Sequence, residues 1–476
     1  MDSREFREWS RRAAEWGADY RETLREHPVR AQTRPGEIAA RIENAPPEHG
    51  EPMERIFADF EEMILPGMTH WQHPRFFAYF PANAAPVSVV AEYLVTAMAA
   101  QCMLWQTSPA ATELETAMID WVRQALALPT GFSGVIQDSA SSATLAAVLT
   151  MRERALSWQG NANGLAGMKP IRIYASNQVH TSIDRAIWVS GIGEANLVRI
   201  PTKGRWRGMD VAALEAAVVA DKEAGLLPAG IVACVGGTSI GGTDDLASVA
   251  DVARRHGLYL HVDAAWAGAA MICPEFRHFW QGIEGADSIV FNPHKWLGAQ
   301  FDCSVQFVKD PDSQVKTLAI QPEYLKTHGK DGIVNYSEWS VPLGRRFRAL
   351  KLWFLLRAHG LEGLRAMIRD HVRWSEKLAQ RISETPGFEI VSEPMLSLFS
   401  FRHIPPAGGD SDAHNQRLVD RINDDGRIYL TQTRVDGQLA IRFQAGQFDA
   451  TEADVDEAYD TIVRVAAMLD QVGVVT

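Results

Sequence analysis

The chain has 476 residues, of which 46% are hydrophobic and 22% are charged, and its formal net charge is −12 at pH 7. This composition is ordinary for a globular protein of two or three subdomains. The net negative charge argues against nucleic acid or an anionic membrane as the main partner. No uncharged apolar run reaches about 18 residues and the N-terminus is charged, so we expect neither a transmembrane span nor a signal peptide.

The four cysteines are far apart and form no CxxC pair. Their spacing therefore predicts neither a zinc site nor a disulfide framework, and we expect no metal. Such cysteine usage is typical of a reducing compartment, so we expect the protein in the cytoplasm.

The first 85 residues predict a helical arm. Residues 4–25 carry apolar side chains at helical spacing, namely Phe6, Trp9, Ala13, Trp16 and Tyr20. Proline and glycine interrupt this pattern near residues 34–36 and 46–50, and Met53–Met63 is helical again. Because the segment has little core of its own, we expect it to pack on a partner subunit. The alternative is that it packs on its own chain.

From about residue 110 the pattern predicts helices that alternate with short β-rich runs, as in an α/β domain with a mostly parallel, buried sheet. The predicted helices are Ala111–Leu126, Ala143–Ala155, Met209–Ala224 and Ser248–His256. The predicted strands are Ile171–Ala175, Gly230–Val235, Leu258–Val262, Ser288–Phe291 and Ser304–Val308. Ligands of such sheets bind at the carboxyl ends of the strands. The side chains that follow the strands should therefore converge, namely His180, Thr238, Asp263, His294 and Lys295.

The last third predicts a loop and a smaller domain. Asp310–Trp339 shows no clear core period and contains glycines, which indicates a long mobile loop of the kind that often forms a lid. Two helices should follow, Phe347–His359 and Leu361–Gln380, and then weaker strands with a type I′ turn at Val435–Gln438. We assign residues 1–85 to the arm, 86–355 to a large α/β domain and 356–476 to a small α+β domain.

Lys295 and Asp263 are the most informative pair in the chain. Each follows a predicted strand, and the 32 positions between them match one βαβ repeat of about 30 residues. Both side chains should therefore lie at the same edge of the sheet. A lysine with a role in such a pocket is usually a Schiff-base former. The alternative for Lys295 alone is a solvated loop lysine.

A third element is the run Asp138–Thr144, whose small and hydroxylated residues open a predicted helix. The start of a helix favours an anion such as phosphate, although serine-rich helix starts are common without a ligand. A lysine, a carboxylate and a phosphate cradle together describe a site for pyridoxal phosphate (PLP).

A carboxylate ~4 Å from the pyridine nitrogen, at an effective dielectric of ~20, contributes roughly 4 kcal/mol. That energy corresponds to about 3 pKa units, enough to keep the nitrogen protonated at neutral pH.

Several longer motifs carry a resemblance to a known family. The segments are Asn292–Trp296, His261–Gly268, Pro342–Arg348, Trp71–Pro81, Ser108–Glu115 and Gln178–Ser182. Together they resemble the group II pyridoxal-phosphate-dependent decarboxylases, and most of all the aromatic-L-amino-acid decarboxylases. The resemblance implies the α/β fold of the type I PLP-dependent enzymes. It also implies a homodimer with active sites at the subunit interface and an arm that embraces the partner.

The resemblance further implies a reaction. An aromatic L-amino acid (tryptophan, dihydroxyphenylalanine, or one like phenylalanine or tyrosine) would lose carbon dioxide and leave the arylalkylamine. Lys295 would form the Schiff base, Asp263 would pair with the pyridine nitrogen and His180 would stack on the ring. The remaining cofactor contacts would be Ser139, Ala140, Ser141, Thr238, Ala265, Asn292 and His294. The substrate pocket would include Trp71, Tyr79, Phe80, Pro81, Gln101, Met103 and Gly344.

Tyr336 lies near the end of the predicted loop, where the resemblance implies a tyrosine that protonates the substrate carbon. It would act from the partner subunit, with His180 assisting. The alternative is a tyrosine that anchors the loop. Together with His180, Tyr336 favours a decarboxylase over the relatives that form aldehydes. Other functions remain open: oxidative conversion of the amino acid to an aromatic acetaldehyde, transamination, or a catalytically inactive scaffold dimer.

Overall fold

The structure, a computed structural model, describes residues 1–320, 333–406 and 408–473. The helices are α1 (Ser3–Thr23), α2 (Met53–Asp59), α3 (Pro86–Met98), α4 (Pro109–Ala125), α5 (Ala140–Ala155), α6 (Gly160–Asn163), α7 (Ser182–Val189), α8 (Val211–Glu223), α9 (Leu246–His256), α10 (Pro311–Leu318), α11 (Arg348–Glu384), α12 (Ser411–Asp425) and α13 (Glu452–Gly473). The strands are β1 (Ser133–Gln137), β2 (Ile171–Ser176), β3 (Leu197–Ile200), β4 (Thr202–Lys203), β5 (Gly208–Met209), β6 (Leu227–Cys234), β7 (Tyr259–Asp263), β8 (Ser288–Phe291), β9 (Ser304–Val308), β10 (Phe388–Met395), β11 (Leu398–His403), β12 (Thr431–Val435) and β13 (Gln438–Gln444).

The chain divides into two compact units. The large unit consists of Ala82–Arg373 and Pro394–Leu398. The small unit consists of Met1–Pro81, Trp374–Glu393 and Phe399–Thr476. The assignment of residues 1–85 and 356–476 to separate domains stays a prediction.

A seven-stranded sheet forms the centre of the large unit, in the order β1-β9-β8-β7-β6-β2-β3. The strands from β8 to β3 are parallel to one another, whereas β9 is antiparallel to both of its neighbours. Every residue of β7, β8 and β9 is buried, as expected for strands that are covered on both faces. The predicted α/β fold with a mostly parallel sheet is confirmed.

Local sequence explains how these elements begin and end. In α9, for example, the Asp245 side chain accepts a hydrogen bond from Ser248 N, which caps the first turn. The helix ends at Gly257, whose φ of 69° is costly for other residues. Between these ends the buried side chains of Leu246, Val249 and Val252 recur at helical spacing, so one face of the helix packs inward.

The small unit contains a four-stranded sheet in the order β10-β11-β13-β12. Its core contains aromatic residues from distant segments, such as Phe77 and Phe443, whose ring centroids are 4.6 Å apart. The β12–β13 hairpin turns at Asp436 and Gly437, which have φ angles of 49° and 81°. Positive φ at both central residues defines the predicted type I′ turn.

The arm begins with α1, which is capped by Asp2 and Glu5 in a capping box. Trp9 contacts Phe57 and Trp16 contacts Phe60, so α1 packs against the segment that contains α2. Even so, α1 has no buried residue.

The helices and strands predicted between residues 110 and 308 are all present, with ends within three residues of those expected. The edge strand β1 and strand β3 were not predicted. Part of the predicted loop is wrong, because residues 311–318 form α10, capped by Asp310. The centre of that loop, residues 321–332, lies outside the described residues. In the part of the chain that the structure describes, no helix is both long and apolar enough to span a membrane.

A buried ion pair connects three segments of the large unit. An Arg345 guanidinium N–H donates to Glu115 Oε1 at 2.5 Å, and both side chains are 3% exposed. The same oxygen accepts a hydrogen bond from Ile136 N at 2.8 Å, and Arg345 donates to the Ile136 carbonyl at 3.1 Å. The pair therefore ties α4 and the Arg345 segment to β1.

We expect Glu115→Ala to lower the free energy of unfolding by about 3–5 kcal/mol, because it leaves a buried, uncompensated guanidinium. Urea unfolding monitored by circular dichroism measures the change. Glu15→Ala is the matched control, since Glu15 pairs with Arg11 on the exposed face of α1 and its loss should cost less than about 1 kcal/mol. Equal unfolding midpoints for the two variants would contradict the role given to the buried pair.

Candidate active site

The strand ends of the parallel sheet enclose a cavity of about 160 Å³. Strands β7 and β8 pair in parallel with Asp263 opposite Val290, so the chain that follows each strand leaves the sheet at the same edge. Most of the predicted cofactor residues line this cavity: Ser139, Ala140, Ser141, His180, Thr238, Asp263, Ala265, Asn292 and Lys295. Residues separated by more than 150 positions are thus brought together, with Lys295 and Asp263 on the wall of one cavity.

The backbone around Lys295 is fixed by several hydrogen bonds. Its N–H donates to the Asn292 carbonyl at 2.9 Å, and its carbonyl accepts from Asn83 Nδ2 at 2.5 Å. Asn292 is fixed in turn, because its N–H donates to the Ala265 carbonyl and its Oδ1 accepts from Ser304 Oγ. The turn after β8 therefore presents the lysine from a rigid base.

Asp263 is buried at the end of β7. Its Oδ1 accepts a hydrogen bond from Ala265 N at 3.0 Å, which orients the carboxylate. A charge held in this way, away from water, interacts more strongly with a nearby cation than it would in solvent.

His180 follows β2 and lines the cavity, with part of its side chain exposed to solvent. Its Nδ1 accepts a hydrogen bond from Ser182 N at 3.0 Å, so the neutral ring carries its proton on Nε2. Partial burial is the largest effect on this group and lowers the pKa of His180; Asp263 raises that pKa and Lys295 lowers it. The ring is therefore neutral at pH 7. The helix that follows, α7, begins after Thr181, whose side chain makes no cap hydrogen bond.

The N-terminus of α5 forms another part of the wall. Ser139 caps the helix by accepting from Ser142 N at 3.2 Å, and its hydroxyl donates to Asp138 Oδ1 at 2.9 Å. That hydroxyl proton is thus engaged within the chain. The first-turn N–H groups of Ala140 and Ser141 have no partner inside the helix and suit an anion.

Sequence reasoning missed five residues of the wall, which are Ser182, Cys234, Gly236, Gly237 and Trp266. The two glycines allow close packing. A Cβ on Gly236 would lie 2.6 Å from Ala267 Cβ, and one on Gly237 would lie 2.6 Å from the Gln178 carbonyl oxygen. A Gly-Gly pair directly after a strand was the available signal, because such pairs often mark close approach of the backbone.

His294 was predicted to adjoin the phosphate, but it does not line the cavity. It is buried, its Nδ1 accepts from Cys303 N at 2.9 Å, and its carbonyl accepts from Asn83 N at 2.8 Å. Burial lowers the pKa of His294 to about 3, so the ring is neutral. In this position it supports the turn that carries Lys295.

The predicted substrate residues lie in both units, and none of them lines the cavity. In the small unit the rings of Trp71 and Tyr79 stack at 5.8 Å, and Arg442 lies 5.2 Å from the Phe80 ring. Pro81 is the last residue of that segment.

In the large unit, Gln101 Oε1 accepts from Arg345 N, and Met103 O accepts from Ser337 N. A Cβ on Gly344 would lie 3.3 Å from Gln101 Nε2. The substrate role of these residues and of those in the small unit stays a prediction.

Tyr336 is not brought to the cavity either. Its side chain is 3% exposed, and its hydroxyl forms a hydrogen bond with Thr116 Oγ1 at 2.8 Å. The ring lies 5.3 Å from the Arg345 guanidinium, and burial raises the pKa of the phenol well above its ordinary value. Within its own chain this environment is that of an anchor, which was the alternative. The role of Tyr336 as a proton donor in the site of the partner subunit stays a prediction.

Comparison with known proteins agrees with this geometry. The family model described as the pyridoxal-dependent decarboxylase conserved domain matches residues 35–404. The chain belongs to this family. It is 37% identical to a phenylacetaldehyde synthase of Arabidopsis thaliana, over 98% of this chain and 97% of the relative. It is 38% identical to an aromatic-L-amino-acid decarboxylase of Rattus norvegicus, over 98% of each.

Solved structures of this decarboxylase family share the fold. A crystal structure of Oryza sativa TDC with PLP and tryptamine matches with a TM-score of 0.95 and 34% identity, over 98% of this chain and 99% of that one. Catharanthus roseus tryptophan decarboxylase in complex with L-tryptophan matches with a TM-score of 0.92 and 35% identity, over 98% and 99% of the two chains.

The cofactor of the family is PLP, and the groups on the cavity wall fit it. An amine, a buried oriented carboxylate, a neutral imidazole and the free N–H groups of a 16-residue helix meet at one cavity. Lys295 would bind the aldehyde carbon, and Asp263 would pair with the pyridine nitrogen. His180 would lie on the ring, and Ala140 and Ser141 would hold the phosphate. When bound, PLP supplies an electron sink for the pair left by a departing carboxyl group.

We expect Tyr336→Phe to keep cofactor binding and to shift the product from amine toward aldehyde, because the proton donor is lost. It should also lower the free energy of unfolding by about 1 kcal/mol, the usual contribution of one hydrogen bond. Thr116→Val should cost about as much, and the double variant little more, because both remove the same bond. Product analysis and urea unfolding measure these effects. Tyr324→Phe is the parallel variant, since Tyr324 is the other tyrosine of the predicted loop and lies outside the described residues. Normal amine formation in Tyr336→Phe would contradict its role as the proton donor.

Proposed function

We propose that this protein is a PLP-dependent aromatic-L-amino-acid decarboxylase. It would convert tryptophan, dihydroxyphenylalanine, or an amino acid like phenylalanine or tyrosine, to the arylalkylamine and carbon dioxide. The observation that carries the proposal is that Lys295, Asp263 and His180 line one cavity. The decarboxylase family and the names of the aligned relatives support the reaction type and the aromatic substrate.

The residues of the cavity have distinct tasks in this reaction. The amine of Lys295, on its rigid turn, would hold PLP until the substrate amine takes its place, and would take the cofactor back when the product leaves. Asp263 would pair with the pyridine nitrogen of bound PLP and would so favour the protonated ring. His180, neutral and with its proton on Nε2, can donate a hydrogen bond on the ring face and assist proton delivery to the substrate carbon.

The apolar part of the cavity wall also limits the access of water to the site. Cys234 and Trp266 are buried apolar residues of the wall, and a drier site strengthens the interactions of Lys295 and Asp263 with their partners. Trp266 is held in place because its Nε1 donates to the Gly236 carbonyl at 2.6 Å.

A panel of aromatic L-amino acids, with products identified by mass spectrometry, tests the proposal. We expect one amine and one carbon dioxide per amino acid consumed, without hydrogen peroxide. Lys295→Ala should lose this activity together with the visible absorbance of the cofactor bound to the lysine, and should keep its circular dichroism spectrum. Release of peroxide and ammonia with oxygen uptake would identify an aldehyde-forming enzyme instead. Intact absorbance without turnover of any substrate would indicate a catalytically inactive protein.

We also propose that the protein is a homodimer. One face of α3 exposes large apolar side chains, namely Val89, Val90, Tyr93, Leu94 and Met98, each 41–56% exposed. Contiguous apolar patches of this kind mark interaction sites. The lack of any buried residue in α1 also suits an arm that packs on a partner subunit.

A cytoplasmic location is proposed as well, and the four free, buried cysteines support it.

The mass in solution tests the homodimer. Light scattering should give about twice the chain mass of 52.7 kDa for the wild type. Val90→Asp should shift the protein toward the monomer, because it places a charge in the exposed apolar face of α3. Val219→Asp is the matched control, since Val219 is an exposed valine of α8. A wild-type mass of one chain would refute the homodimer.

A further inference from the structure

Three potential metal ligands meet in the small unit, and none of them lines the cavity. His403 is the last residue of β11, His414 lies in α12 and Asp470 lies near the end of α13. His403 Nδ1 is 2.9 Å from His414 Nε2, and His403 Nε2 is 3.7 Å from Asp470 Oδ2. One donor atom from each residue lies within 4.8 Å of the other two.

Both histidines are firmly positioned. They are 4% and 6% exposed. The Asn415 side chain holds the backbone of His403 through two hydrogen bonds. Its Oδ1 accepts from His403 N, and its Nδ2 donates to the His403 carbonyl. The His403 ring also packs on Phe388, with centroids 4.5 Å apart. The two nitrogens thus face each other from rigid elements.

The protein alone does not satisfy all of these polar groups. Asp470 Oδ1 is buried and has no hydrogen-bond partner among the described residues. A buried carboxylate oxygen without a partner is costly, and carboxylates and imidazoles together are common ligands of divalent zinc-like ions.

We propose that His403, His414 and Asp470 form a binding site for one divalent transition-metal ion of the zinc class. In a tetrahedral zinc site, bonds of about 2.0–2.1 Å place the donors about 3.3 Å apart. The two nitrogens would separate by a few tenths of an ångström and the Asp470 side chain, 28% exposed, would turn toward them. Water would fill the fourth position.

The ion would join the end of α13 to β11 and α12. Binding to the folded state alone stabilises a protein in proportion to the logarithm of the metal concentration. The site would therefore hold the C-terminal helix in place, and it acts independently of the proposed decarboxylation.

Cobalt(II) is the probe, because tetrahedral Co²⁺ has visible bands that difference spectra separate from those of the cofactor. The untagged holoenzyme, first dialysed against a chelator, is titrated with Co²⁺ and its melting temperature is measured with and without Zn²⁺. We expect one Co²⁺ per chain and a higher melting temperature with Zn²⁺, which the chelator reverses.

Three variants decide whether these residues are the ligands. Asp470→Asn should weaken binding by at least about 10- to 100-fold, the cost of losing even an outer-shell partner, and His414→Gln should weaken it further. His256→Gln is the matched control and should bind normally, since His256 and Glu215 form a similar pair in the large unit. Absence of a Co²⁺ spectrum and of a melting shift in the wild type would overturn the proposal. Unchanged binding in Asp470→Asn, or equal loss in His256→Gln, would overturn it too.

Discussion

The parallel pairing of β7 with β8 is the constraint on which the candidate active site depends. Because the two strands run in the same direction and in register, the chain leaves both of them at one edge of the sheet. Asp263 ends the first strand, and Lys295 lies on the tight turn that follows the second. A shift of one residue in either strand would move its side chains to the opposite face. Both strands are completely buried, so such a shift would disturb their packing. The packing therefore also protects the site.

Much of this arrangement follows from the sequence. The strands before Asp263 and Lys295 are short runs of mostly apolar residues, and their ends are predictable because polar residues mark them. The same reasoning correctly placed His180 and the start of α5. Strand β1 was missed because Ser133-Gly-Val-Ile-Gln137 is short and begins with two weak strand formers. The glycines at 236 and 237 carried a signal that becomes specific only when their neighbours Ala267 and Gln178 are known.

Side chains whose surroundings are set by distant segments are harder to predict. His294 neighbours Lys295 in sequence, yet its ring nitrogen is engaged by the backbone of Cys303 on the far side of the turn. Tyr336 stands in a motif shared with decarboxylases, but its hydroxyl meets Thr116, which is 220 positions away. His403, His414 and Asp470 show no metal-ligand spacing in sequence, because a strand and two helices bring them together. Local pattern identifies which residues can do chemistry, whereas tertiary packing decides which of them are free to do it.

The position of Asp138 affects how firmly the phosphate group of PLP would be held. Its carboxylate lies beside the start of the helix and accepts a hydrogen bond from the Ser139 hydroxyl. The negative charge offsets part of the positive potential of the helix dipole. Retention of the phosphate would then depend on short-range amide hydrogen bonds more than on long-range charge attraction. Mobile ions screen long-range attraction far more than contacts inside a cavity. The holoenzyme should therefore keep its cofactor over a wide range of ionic strength.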